Sequence, residues 1–121
     1  MEPMIRVFIL DGQRDRFFGE GPYRLLCGIE QYGSLRASAA AMGMAYTKAL
    51  RLMKHAEEAW GCPLACKTIG GKHGGGSALT PEGKELLKKY EEYRTRCTEA
   101  NRQIFDEIFG TQRQEASDPH R

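Results

Sequence analysis

Two helix-forming runs lie between Gly33 and Trp60, and only Gly43 and Met44 separate them. A connection that short forces the second helix to cross the first steeply, so the crossing must be made of small residues. The composition agrees. Ser34 is a good N-cap for a helix over 35–42, and that helix holds Ala37, Ala39, Ala40 and Ala41. Gly43 stops it, and the next helix spans about 45–60. Ala39 stands midway through the first helix, Gly43 follows four residues later, and Ala49 and Leu52 lock the second helix on its apolar side. The pattern is that of a helix-turn-helix.

The helix over 45–60 has two faces. At about 100° per residue, Ala49, Leu52, Met53, Ala56 and Trp60 fall within one arc of roughly 100°. Thr47, Arg51 and Lys54 cluster on the opposite side, with Lys48 and His55 beside them. Such a helix can be an ordinary amphipathic element with a solvated face. Charge along the chain favours more than that. The whole chain carries a formal +2, yet residues 31–81 hold six Lys/Arg against two Glu, leaving −2 for the remainder. Positive charge concentrated in the middle of the chain is the electrostatic footprint of a nucleic-acid face. The first half of the second helix would present Tyr46, Thr47, Lys48 and Arg51 to the major groove of duplex DNA. Arg51 and Thr47 are expected to read bases. Arg36, Lys48, Lys54 and Lys72 are expected to hold the phosphate backbone.

The flanks complete the fold class. Ile5–Leu10 is β-branched and aromatic and ends at the turn signal Asp11-Gly12, and Phe17-Phe18 offers a return strand. Pro22 opens a helix over 22–32, with Leu25, Leu26, Ile29 and Tyr32 at helical spacing and Gly33 as its C-cap. Beyond Trp60, Lys67-Thr68-Ile69 and Ser77-Ala78-Leu79 flank a run of glycines that carries Lys72 and His73, which predicts a hairpin with a basic tip. It would act as a wing, with Lys67, Lys72 and His73 on a minor groove or on phosphates.

Thr80 and Pro81 then start a helix expected to reach about Phe109. Its apolar positions Leu86, Tyr90, Tyr93, Cys97, Ala100, Ile104 and Ile108 approach a heptad seam. A helix over 81–109 is about 43 Å long at 1.5 Å per residue, more than a domain this small covers with its own core. The seam therefore predicts a partner helix from a second copy of the chain.

Other chemistry finds less support. A phosphate-binding loop would need Gly in place of Cys66 and Ser or Thr in place of His73. His55, His73 and His120 have no nucleophile or carboxylate partner in a recognisable motif, so no enzyme and no cofactor are expected. Cys62, Cys66 and His73 are three irregularly spaced candidate ligands, short of a zinc set. Cys27 and Cys97 read as small packing residues. No stretch approaches the roughly 20 apolar residues of a membrane span, and the N-terminus lacks a basic segment followed by an apolar run, so the expectation is a cytoplasmic protein.

The run Gly33-Ser34-Leu35-Arg36-Ala37-Ser38-Ala39-Ala40-Ala41-Met42-Gly43-Met44-Ala45-Tyr46 resembles the DNA-binding domain of ModE-type molybdate regulators and, more distantly, that of LysR-type regulators. Gly70-Gly71, Gly74-Gly75-Gly76, Leu79-Thr80 and Gly83 match the same family's wing pattern. The resemblance covers roughly residues 4–95. It implies DNA binding and dimerisation. Ala45 stands where the family has a serine that would cap the recognition helix and touch phosphate. The family's C-terminal molybdate-binding domains have no counterpart here, so no small-molecule effector is expected within this chain.

The expectation is a mainly α protein with small β elements: a winged helix-turn-helix followed by a long C-terminal dimerisation helix. Residues 1–80 would form the DNA-binding domain with its N-terminal strand, 81–109 the dimerisation helix packed on it, and 110–121 a disordered tail. The function expected is that of a homodimeric, sequence-specific regulator bound to double-stranded DNA. The contact residues would be Arg36, Ala45, Tyr46, Thr47, Lys48, Arg51, Lys54, Lys67, Lys72 and His73. A protein-interaction module built on the last helix is the alternative.

Overall fold

A computed structural model describes residues 1–68 and 76–117, with the backbone alone for 111–117. Four helices and two small antiparallel hairpins follow one another: β1 (Ile9–Leu10), β2 (Arg16–Phe18), α1 (Glu20–Tyr32), α2 (Leu35–Ala41), α3 (Tyr46–Trp60), β3 (Ala65–Thr68), β4 (Gly76–Leu79) and α4 (Pro81–Ser117). The chain is mainly α with small β elements, as expected. One compact unit comprises Phe8–Tyr90; Met1–Val7 and the chain from Glu91 onward form another.

The core of Phe8–Tyr90 is built from Phe17, Phe18, Leu25, Leu26, Ile29, Ala39, Ala49, Met53, Ala56, Leu64, Leu79, Leu86, Leu87 and Tyr90. Each fully buried Leu, Ile or Phe contributes about 1.5–3 kcal/mol relative to exposure. Tyr90 meets Phe18 edge-on with ring centroids 5.1 Å apart and Tyr23 at 5.3 Å, so three elements share one aromatic cluster.

Helices α1 and α2 touch where neither has bulk. The Ser38 hydroxyl donates to the Leu25 carbonyl at 2.9 Å, and a Cβ on Gly28 would sit 2.0 Å from that hydroxyl oxygen. Gly28 on Ser38 is thus the close approach of α1 to α2, which the helix-turn-helix pattern did not include, while Ala39, expected at the crossing of α2 and α3, is buried. Ser34 caps α2, its hydroxyl accepting from the Ala37 amide at 3.0 Å. Gly33 sits in the left-handed region at φ 81° and ends α1. Its carbonyl accepts from the Ser77 amide at 2.7 Å, which pins β4 to the α1–α2 corner.

The second hairpin pairs Ala65 with Leu79, Cys66 with Ala78, Lys67 with Ser77 and Thr68 with Gly76. Its tip, with Lys72 and His73, lies outside the described residues. The Glu57 carboxylate accepts from the Leu64 amide at 2.8 Å and holds the entry to β3 against the end of α3. Thr80 caps α4, accepting from the Gly83 amide at 3.0 Å and donating to the Pro63 carbonyl at 2.7 Å.

Three expected boundaries shift. The first strand shrinks from 5–10 to Ile9–Leu10, because the return strand has only three residues to pair with it. Helix α1 begins two residues early, at Glu20; Pro22 is tolerated there because first-turn amides have no intrahelical partner. Helix α4 runs past Phe109 to Ser117. Gly110 does not stop it: its φ stays out of the left-handed region, and an interior glycine costs only about 1 kcal/mol against Ala.

The turn between β1 and β2 is tied to α3. Asp11 Oδ1 accepts from the amides of Gln13 at 2.8 Å and Asp15 at 3.0 Å, while its Oδ2 meets His55 Nε2 at 3.1 Å. The hydrogen bond from His55, with the backbone amides of Asp15 and Gln13 adding to it, holds the Asp11 carboxyl below its ordinary 3.8. A depressed carboxyl pKa stabilises the fold above the unfolded-chain value, and that contribution disappears as pH falls through the folded value.

Two outcomes follow from these contacts. Gly28→Ala should destabilise the fold by about 1–3 kcal/mol through overpacking on Ser38, while Gly12→Ala, with open space around it, stays within about 0.5 kcal/mol; urea denaturation measures both. In carboxyl NMR titrations, Asp11 should titrate below 3.8, and His55→Ala should move it back toward that value. An unchanged Asp11 titration in that variant would show that His55 is not what holds it down.

Candidate nucleic-acid interface

The side of α3 that faces away from the core is assembled from residues with no packing role. Ala49, Met53 and Ala56 are buried, and Leu52 and Trp60 are half-buried at the margin. That inward pull turns Thr47, Lys48, Arg51 and Lys54 to solvent, and all four are exposed. Leu50 is exposed among them, an apolar contact that the wheel did not single out. Because residues four apart are neighbours on a helix, Thr47, Arg51 and His55 form one row.

The turn before α3 sets its first residues. Ala45 is the N-cap, extended and exposed, and its methyl cannot cap. Tyr46 is half-buried, and the exposed Arg36 guanidinium lies over its ring at 4.0 Å. This cation–π contact joins α2 to the start of α3 and holds a positive charge at the helix-turn-helix corner. The stacking was not legible from sequence, since the two residues are ten positions apart on different helices.

Arg36, Ala45, Tyr46, Thr47, Lys48, Arg51 and Lys54 therefore lie on the two helices of the motif and the turn between them. Lys67 is exposed on β3, in the separate hairpin. Lys72 and His73 fall outside the described residues. Of the acidic groups around this face, Glu57 is engaged by the Leu64 amide and Asp11 by His55, while Glu58 is exposed one turn past Lys54. Among the described residues, no three His, Cys, Asp or Glu come together as a metal site, and no helix is long and apolar enough to cross a membrane.

The expected seam on α4 divides in two. Leu86 and Tyr90 are 1% and 2% exposed, buried in the chain's own core, so they are not available to a partner helix. Tyr93, Ile104 and Ile108 are 52%, 54% and 68% exposed, with Ala100 exposed and Cys97 half-buried between them. These five positions share an arc of roughly 80° on the helix wheel. Phe105 and Phe109 stack beside the seam with centroids 5.1 Å apart.

No protein-family model matches the chain. It is 35% identical over 66 residues to a molybdenum-pterin-binding protein, MopB, of Rhodobacter capsulatus, a match covering 54% of this chain and 24% of that protein. It is 36% identical over 77 residues to the molybdenum transport protein ModE of Herbaspirillum seropedicae, covering 64% of this chain and 29% of that protein. The matched segment is thus less than a third of the length of either relative. Over more than half of its length, the chain is similar in sequence to ModE-type molybdenum proteins, the likeness read above from the Gly33–Tyr46 run and the glycine-rich hairpin.

Proposed function

We propose that this chain is a transcriptional regulator that reads double-stranded DNA through a winged helix-turn-helix, works as a homodimer and takes part in molybdenum-linked control. One observation carries the reading: α3 buries Ala49, Met53 and Ala56 and turns Thr47, Lys48, Arg51 and Lys54 outward, with the exposed Glu58, one turn past Lys54, the first carboxylate on that face. A solvated face needs only polarity. A face whose first turns, Thr47 to Lys54, carry charge of one sign, set on the second helix of a helix-turn-helix, is what a phosphate-lined groove requires. The two relatives' names supply the link to molybdenum.

In this reading α3 enters the major groove, with Arg51 and Thr47 at base edges. Arg36, Lys48 and Lys54 meet phosphates, and the β3–β4 hairpin is the wing, with Lys67 on it. Two chains pair through Tyr93, Cys97, Ala100, Ile104 and Ile108, which presents two recognition helices to half-sites about one helical turn apart or a multiple of it.

Selection from a random duplex library at near-physiological salt should enrich a palindromic motif. Against that motif, Arg51→Ala should cost about 1–3 kcal/mol and relax one base preference, while Lys54→Ala weakens all sequences alike. Absence of enrichment together with absence of salt-sensitive duplex binding would sink the DNA reading and leave an interaction module built on α4. In sedimentation equilibrium, Ile104→Asp with Ile108→Asp should convert a dimer to a monomer whose helical content is unchanged. A wild-type chain that sediments as a monomer at all concentrations would remove the homodimer.

A further inference from the structure

The β1–β2 turn is an exposed loop with two arginines, fastened to the flank of α3, and neither the helix-turn-helix nor the hairpin with the glycine tip accounts for it. Residues 12–16 are exposed. The turn carries Arg14 and Arg16 with Asp11 and Asp15, and the Asp11 carboxylate is held against His55 at 3.1 Å. Arg14 is the only non-glycine with positive φ among the described residues, at 68°. Asparagine or glycine would hold that backbone with less strain, so an arginine at the tip of a tight turn calls for a reason in its side chain. Arg16 lies over the Phe8 ring at 4.0 Å, so its head is already placed.

His55 locates the loop relative to the proposed groove. It follows Arg51 by one helical turn, about 6 Å further along α3. Where a recognition helix inserts its first half into the major groove, its later turns pass the phosphate strand at the groove's edge. The Asp11–His55 contact holds the loop at that level, and the Arg14 amide donates to the Asp11 carbonyl at 3.0 Å, so Arg14 is one short turn from the anchor.

We infer that the β1–β2 turn is a second phosphate-binding element of the DNA interface, with Arg14 as its contact and the Asp11–His55 pair as its positioning device. The inference rests on the DNA-binding reading of α3. The loop binds backbone and not bases, so it adds affinity without sequence preference.

The test is duplex binding by the full chain over a series of salt concentrations, on the selected motif and on a scrambled duplex. Arg14→Ala and Arg14→Gly should each lower the slope of log K against log salt by about 0.9, one phosphate's worth, and weaken both duplexes equally. Arg14→Lys should restore the slope. Arg14→Gly relieves the backbone, so its melting temperature should be at least that of the wild type, which separates a lost contact from a damaged fold. Asp11→Ala provides the sign test: removal of an acidic group near DNA would tighten binding by charge alone, whereas loss of the positioning pair weakens it. An unchanged slope in Arg14→Ala, or tighter binding by Asp11→Ala, with wild-type binding intact, would overturn this inference and leave the α3 reading standing. Absence of salt-dependent duplex binding in the wild type would overturn both.

Discussion

The approach of Gly28 to Ser38 is the constraint on which the rest depends. Only a hydrogen on the α1 side leaves room for the Ser38 hydroxyl, which in turn needs the Leu25 carbonyl as its partner because it is buried. That contact fixes the height and angle at which α2 crosses α1. Since Gly43 and Met44 lie in the turn that follows, the angle of α2 determines where α3 can begin, and the burial of Ala49, Met53 and Ala56 then determines its rotation. The outward face of α3 is therefore a consequence of packing on its opposite side. Gly33 adds the second corner: the conformation that ends α1 also aims a carbonyl at Ser77, and so places the β3–β4 hairpin beside the same helices.

Much of this was legible in the residues because the decisive signals were local. Ser34, Thr80 and Gly33 act as caps by their own chemistry, and the 3.6-residue rhythm of α3 gives its buried side without knowledge of what it packs on. What escaped the sequence was long-range and specific. Ser38 looks like any polar residue in an alanine-rich helix until Gly28 faces it. Asp11 and His55 are 44 positions apart, and nothing near either predicts the other. The seam on α4 failed in part for a related reason. Heptad spacing reports that a face is apolar and not what covers it, so Leu86 and Tyr90, which the chain buries in its own core, are indistinguishable by spacing from Ile104 and Ile108, which it leaves exposed.

Two acids beside the α3 face are committed to the fold, while Glu58 stays exposed on it one turn past Lys54. Glu57 lies at the end of the basic stretch and would oppose a phosphate if free. It is turned to the Leu64 and Ala65 amides, where it secures the entry to β3. Asp11 is bound by His55 and by the amides of its own turn. In both cases the carboxylate does structural work beside the face.

The division of α4 bears on how strongly two chains can pair. From Tyr93 to Ile108 the seam positions advance by 4, 3, 4 and 4 residues, so the last step leaves the heptad rhythm. A seam of this length spans about 22 Å, little more than two heptads, so only a short stretch of apolar contact would hold two chains together. Charge adds little, since the described ion pairs along α4, Lys89 with Glu85 and Arg96 with Glu92, lie within one helix and are exposed. A homodimer resting on this seam is therefore expected to be concentration-dependent in isolation. If each chain also holds one half-site, occupancy of the first half-site raises the effective concentration of the second chain at its neighbour, and DNA binding and dimer formation become linked equilibria. On the proposed reading, a weak seam would let the dilute chain scan as a monomer with one set of phosphate contacts, and only a correctly spaced pair of half-sites would recruit the second.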